Sequence, residues 1–225
     1  MNEPAEFPVP PPEARRHVAM PIGFVTSGRR LLIIGGGHET AIRVQHARLF
    51  DWAQVTVVAG ELHAAWREAA AGDPRFAFHE RPPAEADVVA ADLVIKDCPT
   101  RAATCRVVDW CRAHRVPLNS IDKPDQCDLY YASFFTRGPL LISILSGGHA
   151  PALTSVFRRW LERKVGPGWL LAACLMAELR RRLPGGQARM DLLKRVARDE
   201  KLLALIEASD EGGIRSYFSD VFRGV

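Results

Sequence analysis

The chain lacks the features that mark a membrane protein or a secreted, disulfide-rich protein. None of its apolar runs is long enough to span a membrane, and no signal peptide is visible at its N-terminus. Its cysteines include no CxxC pair and are odd in number: Cys98, Cys105, Cys111, Cys127 and Cys174. This pattern favours reduced thiols and predicts a cytoplasmic protein with no membrane partner.

The chain also has little net charge and few aromatic residues. Its formal charge is only +4, and aromatic residues make up 8% of its 225 residues. Basic residues gather in the C-terminal third, without the interleaved aromatics of a nucleic-acid surface, so we expect no nucleic-acid partner. This basic surplus is either a solvated helix face or a wall near a polyanionic substrate. The length allows a sizeable core and more than one domain.

A glycine-rich turn after a buried strand is the most informative motif. The apolar run Leu31-Leu-Ile-Ile ends in Gly35-Gly36-Gly37, and a helical pattern follows. Gly35 permits a tight turn, and Gly37 lets a pyrophosphate approach the backbone at a helix N-terminus. The motif therefore predicts a dinucleotide-binding turn. A sharp turn without a ligand is the alternative.

Strands and helices alternate from this motif to Ile121. Further strands are predicted at Gln54 to Gly60, Asp87 to Ile95 and Pro117 to Ile121, and helices at Ala41 to Phe50 and Ala102 to His114. The alternation predicts an α/β fold with a doubly wound, Rossmann-like parallel sheet. In such a sheet the ligand crevice lies at the carboxyl ends of the strands.

The pattern changes after Ile121. Apolar runs at 129–136 and 140–145 flank the turn signal Arg137-Gly138-Pro139 and predict an antiparallel hairpin. A lone hairpin is marginal in water, so we expect it to pack on its own sheet or, preferably, on a second copy of the chain. Helices are predicted at 152–164, 169–182, 187–197, 199–207 and 211–222.

These patterns divide the chain into four predicted parts. They are a disordered lead-in over 1–19, a Rossmann-like dinucleotide-binding domain over 20–128, a dimerisation region over 129–165 and a small all-helical domain over 166–225.

Three segments carry a resemblance to a known family. They are Arg29 to Gly37 with Val55 to Val58, then Pro117-Leu-Asn-Ser-Ile-Asp122, then Arg137 to Pro151. In this order and spacing, the chain resembles the siroheme synthase N-terminal module, the precorrin-2 dehydrogenase and sirohydrochlorin ferrochelatase family. The similarity runs from about Met20 to the C-terminus and is weakest in the helical tail.

The resemblance implies a homodimer that acts on a tetrapyrrole. It implies oxidation of precorrin-2 to sirohydrochlorin with NAD, then insertion of ferrous iron, or of another divalent metal, as a substrate. By the same resemblance, Asp122 is central to both reactions, Asn119 opens its segment, and Ser146 lies in the pocket beside Gly147. A carboxylate at the end of a strand can serve as the base that removes protons. Taken alone, Asp122 can equally be a turn residue before Lys123-Pro124.

The departures from the family pattern cluster where the dinucleotide is expected. The sequence has Lys96-Asp97-Cys98 after the strand ending at Ile95, where the family usually has small residues and Thr. Lys96 either pairs with the pyrophosphate or fills the space that the cofactor needs. His38-Glu39-Thr40 replaces small residues after the glycines, and Glu61 can hydrogen-bond a ribose hydroxyl. The cofactor-binding candidates are Gly35, Gly36, Gly37, His38, Glu61, Lys96 and Cys98.

His149 is a second departure, in a loop where the family commonly has Thr or Lys. It is either a solvent-exposed residue or a ligand or proton shuttle beside the tetrapyrrole, since imidazole titrates near neutrality and binds divalent metals. Asp122 and His149 are the metal candidates. The substrate-binding candidates are Asn119, Ser146, Gly147 and His149.

The sequence therefore predicts an enzyme of tetrapyrrole metabolism with dehydrogenase and chelatase activities. One alternative is a paralogue that does not use NAD and acts as a metal chelatase or a tetrapyrrole-binding protein. Another is a non-catalytic dimer that senses a dinucleotide or a metal.

Overall fold

A computed structural model describes residues 19–62, 66, 68, 70–98, 101–147 and 150–224, with only the backbone described over 101–104. The chain forms two compact units, an N-terminal unit up to Tyr131 and a C-terminal unit from Ala132 onward. Within the described residues, no helix has both the length and the apolar character that a membrane span requires. The predicted lead-in over 1–19 lies almost wholly outside the described residues.

The N-terminal unit is a parallel sheet with helices between its strands. Its elements are β1 (Arg30–Ile34), α1 (His38–Ala47), β2 (Gln54–Ala59), β3 (Phe76–Glu80), α2 (Glu85–Val89), β4 (Leu93–Lys96), α3 (Arg101–His114), β5 (Leu118–Ser120) and a 3-10 helix (Pro124–Gln126). The strands lie in the order β3-β2-β1-β4-β5, and each neighbouring pair is parallel. The predicted Rossmann-like fold is confirmed.

Strand β1 lies at the centre of this sheet and is buried on both faces. Leu31 and Ile33 join a core cluster that includes Val44 of α1. Leu32 and Ile34 join a second cluster on the other face, which includes Val107 of α3. Alternate side chains of a strand point to opposite faces, so a continuous apolar run is what a sheet covered on both sides requires.

The predicted strand from Asp87 to Ile95 is wrong in its first half, where the structure has helix α2. The Asp87 carboxylate accepts a hydrogen bond from the Ala84 backbone N–H at 2.8 Å, which caps the first turn of this helix. The same carboxylate pairs with Arg81 at 2.6 Å, and this hydrogen bond lowers the pKa of Asp87. Strand β4 is therefore limited to Leu93–Lys96.

Strand β3 was not predicted. It lies at the edge of the sheet and is only partly buried, so it has no run of buried aliphatic residues.

The order of the strands fixes where a ligand can bind. The chain runs from β1 outward to β3 and then returns to place β4 on the other side of β1. The two halves of the sheet therefore diverge between β1 and β4, and a crevice opens beyond their carboxyl ends. Ile34 lies opposite Lys96 in this pair, so Gly35 and Asp97 are the first residues beyond it.

The C-terminal unit begins with the predicted hairpin. Strands β6 (Ser133–Arg137) and β7 (Leu140–Ile144) are antiparallel, and Arg137 lies opposite Leu140. Gly138 and Pro139 form the loop between them, and Gly138 has a φ of +56°. A glycine with positive φ at the first position of a two-residue loop is typical of a type II′ turn.

The described residues after the hairpin form five helices, with bounds within two residues of those predicted. They are α4 (Pro151–Lys164), α5 (Pro167–Arg182), α6 (Gln187–Ala197), α7 (Glu200–Glu207) and α8 (Glu211–Arg223). Leu179, Leu202 and Phe218 lie in the core that the last four helices share. Arg137 donates to the carbonyl oxygens of Glu162 at 2.8 Å and Val165 at 3.0 Å, which ties the hairpin to the end of α4.

The hairpin and the helices belong to the same compact unit. The predicted division into a dimerisation region over 129–165 and a helical domain over 166–225 stays a prediction.

Candidate functional site

A cavity of about 700 Å³ opens in the N-terminal unit at the carboxyl ends of the central strands. Its volume lies within the range of small-molecule sites. Its lining comes from the ends of β1, β2 and β4 and from the loop before α2: Ile34, Gly35, Gly36, Val58, Ala59, Gly60, Glu61, Pro82, Pro83, Asp97 and Cys98. The cavity therefore occupies the crevice that the strand order predicts.

The glycine turn needs its glycines because other backbone approaches it closely. Gly35 has a φ of +133°, and a Cβ there would overlap the carbonyl oxygen of Asp97. The Asp97 backbone N–H donates to the Ile34 carbonyl oxygen at 2.7 Å, which holds the residue after β4 against the end of β1. A Cβ on Gly36 would lie 3.0 Å from the carbonyl oxygen of Glu61. The tight turn predicted at Gly35 is confirmed.

The turn leads directly into the N-terminus of α1. Gly37 is the N-cap residue, and since glycine has no side chain, the N-cap residue makes no side-chain hydrogen bond to the first turn of the helix. The first backbone N–H groups of a helix have no partner within it, and they carry the positive end of the helix dipole. This end of α1 is therefore suited to an anion such as the pyrophosphate of a dinucleotide.

Asp97 places a negative charge at the same end of α1. A Cβ on Gly37 would lie 2.7 Å from Oδ2 of Asp97, so the carboxylate lies against the turn. The backbone of this site fits a dinucleotide, whereas this carboxylate opposes its phosphates. Asp97 is not among the residues predicted from the sequence, because its place beside the glycine turn follows from the register of β4 against β1.

The structure brings part of the predicted cofactor set to the cavity. Glu61 lines it from the loop after β2 and is exposed, as a residue that meets ribose hydroxyls must be. Cys98 also lines it and is partly buried, and this burial raises the pKa of its thiol. His38 is exposed at the start of α1 and is not part of the cavity lining.

Lys96 does not reach the cavity. Its side chain is only 1% exposed, and its Nζ donates to Oε1 of Gln126 at 3.0 Å. The same Oε1 accepts a hydrogen bond from Oγ of Ser120 at 3.1 Å. Burial lowers the pKa of the Lys96 ammonium. To bind a phosphate or to obstruct the cofactor space, the Lys96 side chain would have to point into the cavity. It points towards Gln126 instead, so neither predicted role fits the structure.

The segment after β5 presents Asp122 at the same edge of the sheet. Asp122 is exposed and has a φ of +57°, in a turn closed by a 3.3 Å hydrogen bond from Lys123 N–H to the Ser120 carbonyl oxygen. The Ile121 N–H donates to the Lys96 carbonyl oxygen at 2.9 Å, which fixes this turn to β4. Strands lie about 4.8 Å apart, so β5 is about 10 Å from β1.

Asn119 lies in β5 and stabilises the segment that contains Asp122. It is 5% exposed, and its Nδ2 donates to the Leu129 carbonyl oxygen at 3.0 Å. This hydrogen bond ties β5 to the chain that follows the 3-10 helix, so the structure gives the Asn119 amide a structural partner.

Two of the remaining candidates lie in the C-terminal unit. The Ser146 hydroxyl accepts a hydrogen bond from the Ala150 backbone N–H at 3.0 Å, just before α4 begins. Gly147 has a φ of +62°, which favours glycine. His149 lies outside the described residues, so its role as a metal or substrate ligand stays a prediction. Among the residues that are described, no group of three or more His, Cys, Asp or Glu is placed to hold a metal ion.

Comparisons with known proteins identify sequence relatives. A family model described as putative NAD(P)-binding matches residues 23–133. The siroheme synthase of Azotobacter vinelandii is 31% identical over 172 residues, which cover 73% of this chain and 36% of that protein. The siroheme biosynthesis protein met8 of Schizosaccharomyces pombe is 29% identical over 170 residues, which cover 72% of this chain and 62% of that protein. The matched region is therefore about a third of the bacterial relative.

A solved structure has the same fold. SirC, precorrin-2 dehydrogenase, superimposes with a TM-score of 0.69 over 90% of this chain and 100% of that chain, at 17% identity. The sequence matches are consistent with the structure, which has a parallel sheet and a glycine turn after its central strand. The chain belongs to the family of the siroheme synthase N-terminal module.

Proposed function

We propose that this chain is an enzyme of siroheme biosynthesis that oxidises precorrin-2 to sirohydrochlorin with NAD. The cavity at the carboxyl ends of β1 and β4 carries this proposal, because it joins a glycine turn to an uncapped helix N-terminus in a member of this family. Relatives named siroheme synthase and a fold neighbour named precorrin-2 dehydrogenase support the same reaction. NAD, when bound, supplies the acceptor for the hydride.

In this proposal the residues that line the cavity bind the dinucleotide. The N–H groups at the start of α1 face the pyrophosphate, and Glu61 accepts hydrogen bonds from ribose hydroxyls. A carboxylate after the second strand of a Rossmann sheet repels a 2′-phosphate. We therefore expect this chain to prefer NAD to NADP.

Asp122 accepts the proton in this reaction. The oxidation takes a hydride and a proton from precorrin-2 and yields sirohydrochlorin, NADH and a proton bound to the base. Asp122 is exposed at the carboxyl end of β5, and the hydrogen bond from Ile121 to β4 holds its turn in place. A positioned carboxylate can serve as such a base.

The first test mixes the purified protein with precorrin-2 and NAD, without oxygen or added metal. We expect the absorption spectrum of precorrin-2 to convert to that of sirohydrochlorin, with one NADH formed for each molecule oxidised. Absence of conversion, with the same precorrin-2 oxidised by an authentic dehydrogenase, would contradict the proposal.

Replacing Asp122 by Asn tests the base. Asparagine tolerates a positive φ as aspartate does, so the D122N variant keeps the turn and removes only the charge. We expect turnover to fall by about 100-fold or more while NAD affinity stays unchanged. The matched control is D125N, which removes a nearby exposed carboxylate of the 3-10 helix and should retain activity. Unchanged turnover in D122N would exclude Asp122 as the base.

Metal insertion is a second candidate function, and the position of Asp97 favours testing it without NAD. A carboxylate against the start of α1 disfavours a dinucleotide, which is what a chelatase or tetrapyrrole-binding paralogue without NAD would show. Asp122 would then accept the two pyrrole N–H protons one at a time and pass each to the solvent as ferrous iron, the substrate, enters the macrocycle. The assay follows siroheme formation from sirohydrochlorin and ferrous iron without NAD. Tetrapyrrole or dinucleotide binding without turnover in either assay would favour the sensing dimer.

We also propose that the chain is a homodimer in the cytoplasm. The 14-residue helix α4 has no buried residue within the chain. Large apolar side chains are exposed along α4 and β7: Leu141, Leu145, Leu153, Val156, Phe157 and Trp160. Exposed large apolar side chains in such number are typical of an interface, and a second copy of the chain is the partner that the family resemblance implies.

A further inference from the structure

The side chain of Asp97 lies against the glycine turn, beside the N-terminus of α1. Asp97 follows β4 directly, and its backbone is held against the glycine turn by the 2.7 Å hydrogen bond to Ile34. Its Oδ2 lies 2.7 Å from the position that a Cβ on Gly37 would take. Since Gly37 is the N-cap residue of α1, the carboxylate lies beside the first turn of this helix.

The electrostatics of this contact favour the carboxylate in its present place. The uncapped N-terminus of α1 is a site of positive potential. Among the described residues, no cationic side chain forms an ion pair with Asp97, and its Oδ2 lies against Gly37 at this end of α1. Asp97 also lines the cavity itself, together with Gly35 and Gly36.

We propose that Asp97 is an internal competitor for the dinucleotide, and that it sets a weak affinity for NAD by occupying the phosphate position at α1. The inference rests on the proposed use of NAD by this cavity. A pyrophosphate carries two negative charges, so it must displace the carboxylate or bind beside it against Coulomb repulsion. Either course makes the binding of the dinucleotide less favourable. The product NADH carries the same pyrophosphate, so Asp97 also favours its release.

The test measures binding rather than turnover. NAD, ADP-ribose and adenosine are titrated by calorimetry into the wild-type protein and into the D97N and D97A variants. We expect both variants to bind NAD and ADP-ribose at least about tenfold more tightly than the wild type, which corresponds to about 1.4 kcal/mol. The gain should shrink as salt is added. Adenosine has no phosphate, so its affinity should not change.

The control variant D109N removes one charge from an exposed position of α3 and should bind all three probes as the wild type does. Circular dichroism shows whether each variant folds. A gain in D97N but not in D97A would mean that the new amide binds phosphate, and it would overturn the proposal. Unchanged or weaker binding in both variants would overturn it as well, since Asp97 would then be neutral or a ligand.

Failure of this inference and failure of the proposed function give different results. If the variants gain affinity but no protein oxidises precorrin-2, the internal competitor stands and the dehydrogenase assignment fails. If the wild type oxidises precorrin-2 with NAD and neither variant gains affinity, the assignment stands and the competitor fails.

Discussion

The buried ammonium of Lys96 is costly for the N-terminal unit. Transferring a charge from water into a protein interior is unfavourable unless partners replace the hydration. Lys96 is 1% exposed, and the partner that the structure gives its Nζ is the neutral amide oxygen of Gln126. Burial accordingly lowers the pKa of Lys96 below its usual value of 10.5. The charge is tolerated here rather than stabilising.

Replacing Lys96 by Met should therefore increase stability at neutral pH, by about 1 kcal/mol. Below the lowered pKa, Lys96 is protonated in both the folded and the unfolded wild type. The folded wild type is then destabilised by the full free energy of burying this charge. Between that pKa and 10.5 the unfolded state binds more protons, and wild-type stability rises with pH. The advantage of K96M should shrink accordingly in urea unfolding at pH 9.5 compared with pH 7.

The same variant tests where the side chain points. Because Lys96 does not line the cavity, K96M should leave NAD affinity within about twofold of the wild type, which is about 0.4 kcal/mol. A K96M protein less stable than the wild type at pH 7 would mean that the hydrogen bond to Gln126 outweighs the cost of burial.

The sequence predicts the site residues to different degrees, for a physical reason. Gly35 could be predicted because a glycine triplet after an apolar strand has few other structural uses. The place of Asp97 depends on how β4 is aligned with β1, and a sequence does not specify this register. The direction of Lys96 depends on which face of β4 carries α3. Asp122 came from a family resemblance, since an aspartate before Lys-Pro is ordinary in turns.

Helices α5 and α7 cross closely enough for one glycine to decide the fit. A Cβ on Gly168 would lie 2.5 Å from the carbonyl oxygen of Ile206 and 3.1 Å from its Cα. These atoms belong to the backbone of α7, so they cannot rotate away as a flexible side chain would. The contact joins the start of α5 to the core that contains Ile206.

Replacing Gly168 by Ala should lower the free energy of unfolding by about 1–3 kcal/mol, because the two helices must move apart. The matched control is G212A in α8, where the new Cβ would lie 3.6 Å from Asp210 Oδ1, an ordinary contact. We expect G212A to be neutral or more stable, since Ala favours a helix. Thermal unfolding measures both variants, and equal effects would refute a close crossing at Gly168.

Whole elements of this chain differ in how well a sequence predicts them. The C-terminal helices were predicted to within two residues because Pro or Gly lies at the ends of α4 and α5, aspartate N-caps precede α7 and α8, and apolar residues recur at helical spacing. Strand β3 was not predicted because an edge strand that is only partly buried needs no apolar run. Helix α2 was taken for part of a strand because its apolar residues, Val88 and Val89, continue into β4 without a glycine or proline between.

At the scale of the whole molecule, the proposed dimer rests on side chains that the single chain leaves uncovered. Phe157 and Trp160 stack with their ring centroids 5.7 Å apart on α4, and each is 46% exposed. Aromatic rings at the centre of an interface commonly supply much of its binding energy. We therefore expect these two residues to lie at the interface between two copies.

The double variant F157K/W160K should shift the protein from dimer to monomer in light scattering at micromolar concentration, because each lysine would place a charge in an apolar interface. M190K is the control, since Met190 is comparably exposed at 40% but lies on α6. It should remain dimeric. A wild-type monomer at that concentration would contradict the dimer itself.

The position of β1 in the middle of the sheet also has a consequence for synthesis on the ribosome. Leu31 pairs with Val55 on one side and with Leu93 on the other, so the first strand made must wait for β4 before both of its edges are closed. Pairing between distant segments is slow, and apolar strands are open to aggregation meanwhile. The glycine turn acquires its final shape only when the Asp97 N–H reaches Ile34. A nascent chain that ends before Asp97 should therefore fail to recognise a dinucleotide, although its glycine motif is already complete.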